Sequence, residues 1–126
     1  MRVSAVIKTK KGYLLFHRFW KGNEYYCTPG GHVEKEEKPK DALVRECFEE
    51  LGVKVKVGKK IFEIENNCYN EKEIFYECSI LEGILGDGKG EEFKDKKNGK
   101  YNLEIVKNVS KINLLPEKIK LILGRI

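Results

Sequence analysis

The 126-residue chain has no run of about 18 uncharged apolar residues, so nothing in it is built to span a bilayer. Its first residues, MRVSAVIKTKKGYLL, lack the long apolar centre and small-residue cleavage site of a secretory leader, and a cytoplasmic location is expected. Cys27, Cys47, Cys68 and Cys78 form no C-x-x-C pair, which argues against a thiolate zinc site. In a reducing compartment they are expected as free thiols. The excess of 25 Lys+Arg over 20 Asp+Glu gives a formal charge of +5, but the lysines are dispersed and match no nucleic-acid-binding motif. Such a surface steers small anions instead.

What the chain does contain is one domain's worth of alternating elements, residues 1–126, with 40% hydrophobic residues. Val3 to Ile7 and Tyr13 to Phe19 are β-rich runs around a turn at Gly12 and read as a hairpin. The stretch YYCTPGG is expected to break regular structure. Pro39 to Leu51 reads as a helix ended by Gly52, with Lys38 a poor cap at its start. VKVKV, KIFEIE, EIFYECSIL and YNLEIV suit strands, and a short helix is expected from Pro116. Glu82 to Lys100 carries Gly83, Gly86, Gly88, Gly90 and Gly99 among charges and is expected as a mobile loop. Strands on both sides of a mid-chain helix predict an α/β fold, a mixed sheet with helices packed on it.

On a helical wheel, Val44, Cys47, Phe48 and Leu51 share one arc and form the expected core face. Arg45, Glu46, Glu49 and Glu50 fall opposite. Glu46 is three and four residues before Glu49 and Glu50, so like charges repel by about 0.2–0.5 kcal/mol per pair. The wheel leaves two readings open: a solvated face, or a set of hard oxygen donors for a divalent cation.

The spacing around that helix is more specific. Gly31, five residues, Glu37, seven residues, Arg45-Glu46, Cys47, one residue, Glu49-Glu50, one residue, Gly52-Val53 resembles the Nudix box, G-x5-E-x7-R-E-U-x-E-E-x-G-U with U bulky and aliphatic. Every fixed letter is present; at average residue usage a chance match is on the order of one in 10⁸. Cys47 stands at a position usually aliphatic, and Glu36 where Gly is common before the box glutamate. The upstream hairpin, the Pro-Gly-Gly lead-in and a late strand bearing a Glu are also similar to the Nudix (MutT-like) hydrolase family.

The resemblance implies an α/β/α sandwich and a Mg²⁺- or Mn²⁺-dependent pyrophosphohydrolase. Such an enzyme cleaves a nucleoside diphosphate linked to another group X into two phosphorylated products. It implies Glu46 as general base or further metal ligand, Glu49 and Glu50 as ligands with the Gly30 carbonyl, and Arg45 as the residue holding a catalytic carboxylate. Gly31, Glu37 and Gly52 are implied as structural. Glu104 is the expected further glutamate for metal or base, with Glu91 or Glu92 as substitutes, and Arg18 is an expected phosphate contact. Tyr69 lies sixteen residues beyond Val53, reminiscent of diadenosine polyphosphate hydrolases in the family. Trp20, Tyr25 and Tyr26 are candidates to stack on a base or to cover the core edge, whereas His17 and His32 read as ordinary polar residues. The alternative to catalysis is a Nudix-fold module that senses a nucleotide. Neither the substrate nor the oligomeric state is legible.

Overall fold

A computed structural model describes residues 1–66, 70–83, 94–95 and 99–124. The expected hairpin is present as β1 (Arg2–Thr9) and β2 (Gly12–Trp20). Its turn needs Gly12: φ is 143°, and a Cβ there would meet the Val106 carbonyl oxygen at 2.4 Å.

β1 and β2 are paired only beside that turn, through Lys8–Tyr13 and Thr9–Gly12. Beyond it they part. β1 takes β4 (Gly30–His32) on one edge and β6 (Glu71–Glu82), in parallel, on the other. β2 takes β3 (Asn23–Cys27) and β8 (Gly99–Val106). With β5 (Lys54–Asn66) and β7 (Lys94–Asp95), the mixed sheet runs β5-β6-β1-β2-β8-β7, with β3 on β2 and β4 on β1.

The YYCTPGG stretch therefore differs from expectation: strands flank Thr28-Pro29 on both sides. The parted hairpin leaves two open strand edges, and pairing with them overrides the weak local preference of Gly30 and Gly31. A hydrogen bond from the Ala5 N–H to the Pro29 carbonyl, 2.8 Å, fastens the crossing between β3 and β4.

Alternation along the strands builds two cores. Ala5, Ile7, Leu14, Phe16, Ile74 and Tyr76 face α1 (Pro39–Leu51), while Val6, Tyr13, Leu15 and Phe75 face α2 (Glu117–Leu123). The result is helix, sheet, helix. Both helices lie where the sequence puts them. Lys38 makes no side-chain cap, and Gly52 closes α1 at φ 72° with its N–H on the Phe48 carbonyl.

The buried face of α1 is rotated from the wheel. Ala42, Leu43, Cys47 and Leu51 are buried, whereas Phe48 is 65% exposed. The helix packs on β1, β4 and β5. Because β4 offers glycines rather than side chains, the helix can turn its Glu46 and Glu50 side inward. Residues 84–93 and 96–98 lie outside the described residues, and with them most of the expected mobile loop, including Glu91 and Glu92; so does Tyr69. No described helix is long and apolar enough to cross a membrane.

Candidate active site

The parting of β1 from β2 opens a cleft of about 540 Å³. Arg2 lines it from β1, Phe16, Arg18 and Trp20 from β2, Tyr25 and Cys27 from β3, Gly30 from β4 and Glu50 from α1. The sheet topology thus brings Glu50 of the helix to an opening that also holds two guanidinium groups.

The Gly30-Gly31 pair is the hinge of this arrangement. The Gly30 N–H donates to Glu50 Oε1 at 3.2 Å. A Cβ on Gly31 would lie 2.4 Å from Glu46 Cδ. Glu46 fills that space, its side chain 16% exposed. The wheel placed it opposite the expected core face and left its role open; the structure places it inward because residue 31, which faces it, has no side chain.

Arg45 organises the cluster from the side. Its Nε and Nη2 donate to the two Glu37 carboxylate oxygens at 2.9 and 3.0 Å, a bidentate pair. Nη1 donates to Glu46 Oε1 at 3.0 Å and reaches Glu49 Oε2 at 3.4 Å, and Nη2 also donates to the His32 carbonyl. Hydrogen bonding from Arg45 holds the Glu37 carboxyl below the usual range. The box glutamate therefore braces the arginine.

Glu46 and Glu50 behave differently from surface carboxylates. Burial raises both pKa values, and that of Glu50 reaches about 8, the charge on Glu46 adding to its burial. The Gly30 N–H, Arg18 and Arg2 oppose that rise for Glu50. Two oxygen-donor groups held together in this way fit a small hard cation, which takes one or two protein carboxylates and completes its shell with water and phosphate. Among the described residues no three His, Cys, Asp or Glu side chains are gathered as a ready metal cage. Glu49 is 52% exposed and turned to Arg45, which explains the missing third member.

Glu104 is not brought to this cluster. It is the cross-strand partner of Leu15, on the α2 face, and the strand alternation that buries Leu103 toward α1 sends Glu104 the other way. There Glu104 Oε2 is 2.6 Å from His17 Nδ1, and the Tyr26 hydroxyl donates to Oε1 at 3.2 Å. His17 is also 2.5 Å from Glu24 and stacks on Tyr26 with ring centroids 4.1 Å apart. His17 and Tyr26 thus bind β2, β3 and β8 together, and His32 is paired with Glu71 at 2.9 Å. The cysteines Cys27, Cys47 and Cys78 are free thiols, and burial raises the pKa of all three.

Three cleft residues, Arg2, Asn66 and Glu73, escape a reading of the sequence. Arg2 stands at the first strand position, where it looks like any terminal basic residue. Glu73 is 4% exposed and accepts from the Ser4 hydroxyl at 2.8 Å and the Asn66 amide at 2.5 Å. The only trace of this in the sequence is polar Ser4 and Glu73 inside otherwise apolar strand runs.

Comparison with known proteins agrees with this architecture. The human diphosphoinositol polyphosphate phosphohydrolase 2 is 39% identical over 64 residues, covering 51% of this chain and 35% of that protein. The bovine diphosphoinositol polyphosphate phosphohydrolase 3-beta is 50% identical over 62 residues, 49% of this chain and 38% of that one. The chain thus spans little more than a third of the curated relatives it matches. A NUDIX-family hydrolase from Clostridium perfringens superposes with a TM-score of 0.70 at 20% identity, covering 98% of this chain and 92% of its own. The NUDIX domain profile matches residues 1–98, and with the box intact on α1 and the sheet parted to receive it, the chain belongs to the NUDIX domain family.

Proposed function

We propose that this chain is a metal-dependent pyrophosphohydrolase that cleaves a P–O–P bridge in a nucleoside diphosphate linked to another group, giving two phosphorylated products. The observation that carries this is the inward pair Glu46 and Glu50, set against a glycine pair at the mouth of a cleft that also holds Arg2 and Arg18. The relatives are phosphohydrolases by name, which supports reaction at phosphorus.

Glu46, Glu49, Glu50 and the Gly30 carbonyl are the groups to hold Mg²⁺ or Mn²⁺. When bound, the ion supplies charge neutralisation at the non-bridging oxygens and lowers the pKa of the attacking water. Glu46 accepts the proton of that water as its oxygen bonds to phosphorus and the bridging P–O bond breaks. The second phosphate leaves with the bond electrons. Burial makes Glu46 a stronger proton acceptor than a surface carboxylate, and the Arg45 hydrogen bond fixes its direction. Arg18 and Arg2 meet the phosphate charge.

The test is a panel of nucleoside-diphosphate compounds with Mg²⁺ or Mn²⁺ and with chelator, reading phosphate after phosphatase coupling. Turnover is expected only with the ion, and Glu46→Gln is expected to lower it about 10²–10⁴-fold. Full activity in excess chelator overturns the metal requirement. Nucleotide binding with no turnover on the panel leaves a sensing module.

A further inference from the structure

The net charge of +5 does not gather at the cleft, whose described lining sets Arg2 and Arg18 against Glu24, Glu50 and Glu73. Cations collect instead at the far end of β1, where the hairpin turns. Lys8 lies about 20 Å along the strand from Arg2. The turn there lies flush on the end of β8: a Cβ on Gly12 would meet the Lys107 nitrogen at 2.7 Å. This close approach sets Lys10 and Lys11 beside Lys107, which comes from a distant part of the chain, although like charges repel. Together with Lys8 they surround a depression of about 310 Å³ that no described Asp or Glu lines. All four lysines are exposed, and among the described residues none is in an ion pair. Elsewhere the same sheet does interleave its charges, as where Glu63 lies between Lys60 and Lys72 at 3.1 and 3.0 Å.

We propose that this depression is a second anion site, which binds a compact ligand carrying two or more adjacent phosphates, free or on a lipid headgroup. It lies apart from the cleft and holds whether or not the chain is a pyrophosphohydrolase. Its volume is that of a small-molecule site. Four ammonium groups around so small a space call for several negative charges close together. A carboxylate brings one charge, whereas each phosphate monoester brings about 1.5–2 and three acceptor oxygens. Lysine suits such a ligand, because a point charge on a flexible stem meets phosphate oxygens from many directions. Two groups on the rim are already set. The Lys8 ammonium stands 5.7 Å from the centre of the buried Tyr13 ring, a cation–π position. The Asn108 Oδ1 accepts from the Ser110 N–H and hydroxyl at 3.1 and 2.5 Å, which leaves the amide NH₂ to donate.

The full chain, in metal-free buffer of low salt, is titrated with tripolyphosphate while backbone amide resonances are followed by NMR. Saturable shifts are expected from Thr9 to Tyr13 and at Lys107 and Asn108, and salt at about 0.15 M is expected to weaken binding about 10-fold or more. The triple variant Lys10→Gln, Lys11→Gln, Lys107→Gln, its fold checked by thermal melt, is expected to raise the Kd about 10-fold or more. Arg18→Gln is expected to leave these shifts in place. Phosphatidylcholine vesicles carrying phosphatidylinositol bisphosphate distinguish the source. Binding to them that the triple variant loses, without tripolyphosphate binding, supports the site with a headgroup as its ligand. Tripolyphosphate binding without vesicle binding supports it with a free ligand. Shifts confined to Gly30, Gly31 and the cleft overturn the proposal, as do an unchanged Kd in the folded triple variant and the absence of binding to both probes. Citrate, or vesicles carrying phosphatidylserine at the same surface charge, binding as tightly would overturn the preference for clustered phosphates.

Discussion

Gly31 and Glu46 occupy each other's space: a Cβ on residue 31 would sit 2.4 Å from the Glu46 carboxyl carbon. The atoms it meets are the far end of a flexible side chain, so the fold can accept the methyl group by moving Glu46. Gly31→Ala is therefore expected to keep the melting temperature near that of the wild type while lowering turnover about 10–100-fold through misplacement of Glu46, the proposed base. Gly30→Ala is the contrast. Its Cβ meets the Val3 carbonyl oxygen at 2.0 Å and Ser4 Cα at 2.9 Å, both backbone, and loss of the folded state is expected by circular dichroism. Equal effects of the two substitutions on stability would refute this distinction.

Arg45 holds Glu37 through two nitrogens while a third reaches Glu46 and Glu49, a geometry that an ammonium group does not reproduce. Arg45→Lys is expected to lower turnover about 10-fold or more while substrate affinity changes less. Glu37 contributes stability above its unfolded pKa, and that contribution is lost as pH falls through its depressed folded value. Glu37→Gln is expected to weaken turnover in the same direction as Arg45→Lys, since it unfastens the same arginine. Steady-state kinetics on both variants, with thermal melts, check the pair.

Glu50 makes the metal-free protein pH-sensitive. Its folded value of about 8 lies above the unfolded carboxylate value near 4.3, so its contribution to stability is fully present below about 4.3 and lost as pH rises through 8. In chelator the melting temperature is expected to fall from about pH 4.3 to about pH 8, the window set by Glu50. Glu50→Gln keeps an acceptor for the Gly30 N–H and is expected to flatten this fall, gaining about 1 kcal/mol or more at the alkaline end. Added Mg²⁺ is expected to restore wild-type stability most where Glu50 is ionised. A melting temperature that rises with pH in chelator would contradict the placement of Glu50.

Glu104 answers to His17 and Tyr26, not to the helix carboxylates. Glu104→Gln is expected to leave the Mg²⁺ concentration for half-maximal activity unchanged. His17→Ala removes contacts to Glu24 and Glu104 together and is expected to cost about 1.5–3 kcal/mol of stability. Chemical denaturation and a Mg²⁺ titration of the two variants separate a structural clasp from a metal ligand.

Local rules settled the helix from Pro39 to Leu51, its stop at Gly52, the hairpin around Gly12 and the box spacing, because each depends on a few neighbouring residues. They also led to Glu46, Glu49 and Glu50 as one group, since residues three and four apart on a helix are neighbours whatever surrounds it. Tertiary structure alone decided which way that group faces. A wheel ranks helix faces by their own polarity, whereas the face that turns inward depends on what stands opposite, and opposite Glu46 stands a glycine. The same holds for Glu104: strand alternation gives two faces, but only the register against Leu15 says which face carries it, and that is the α2 side. The cleft itself exists because β1 and β2 part beyond their turn, each finding other partners, and such long-range pairing is written in no local stretch of chain.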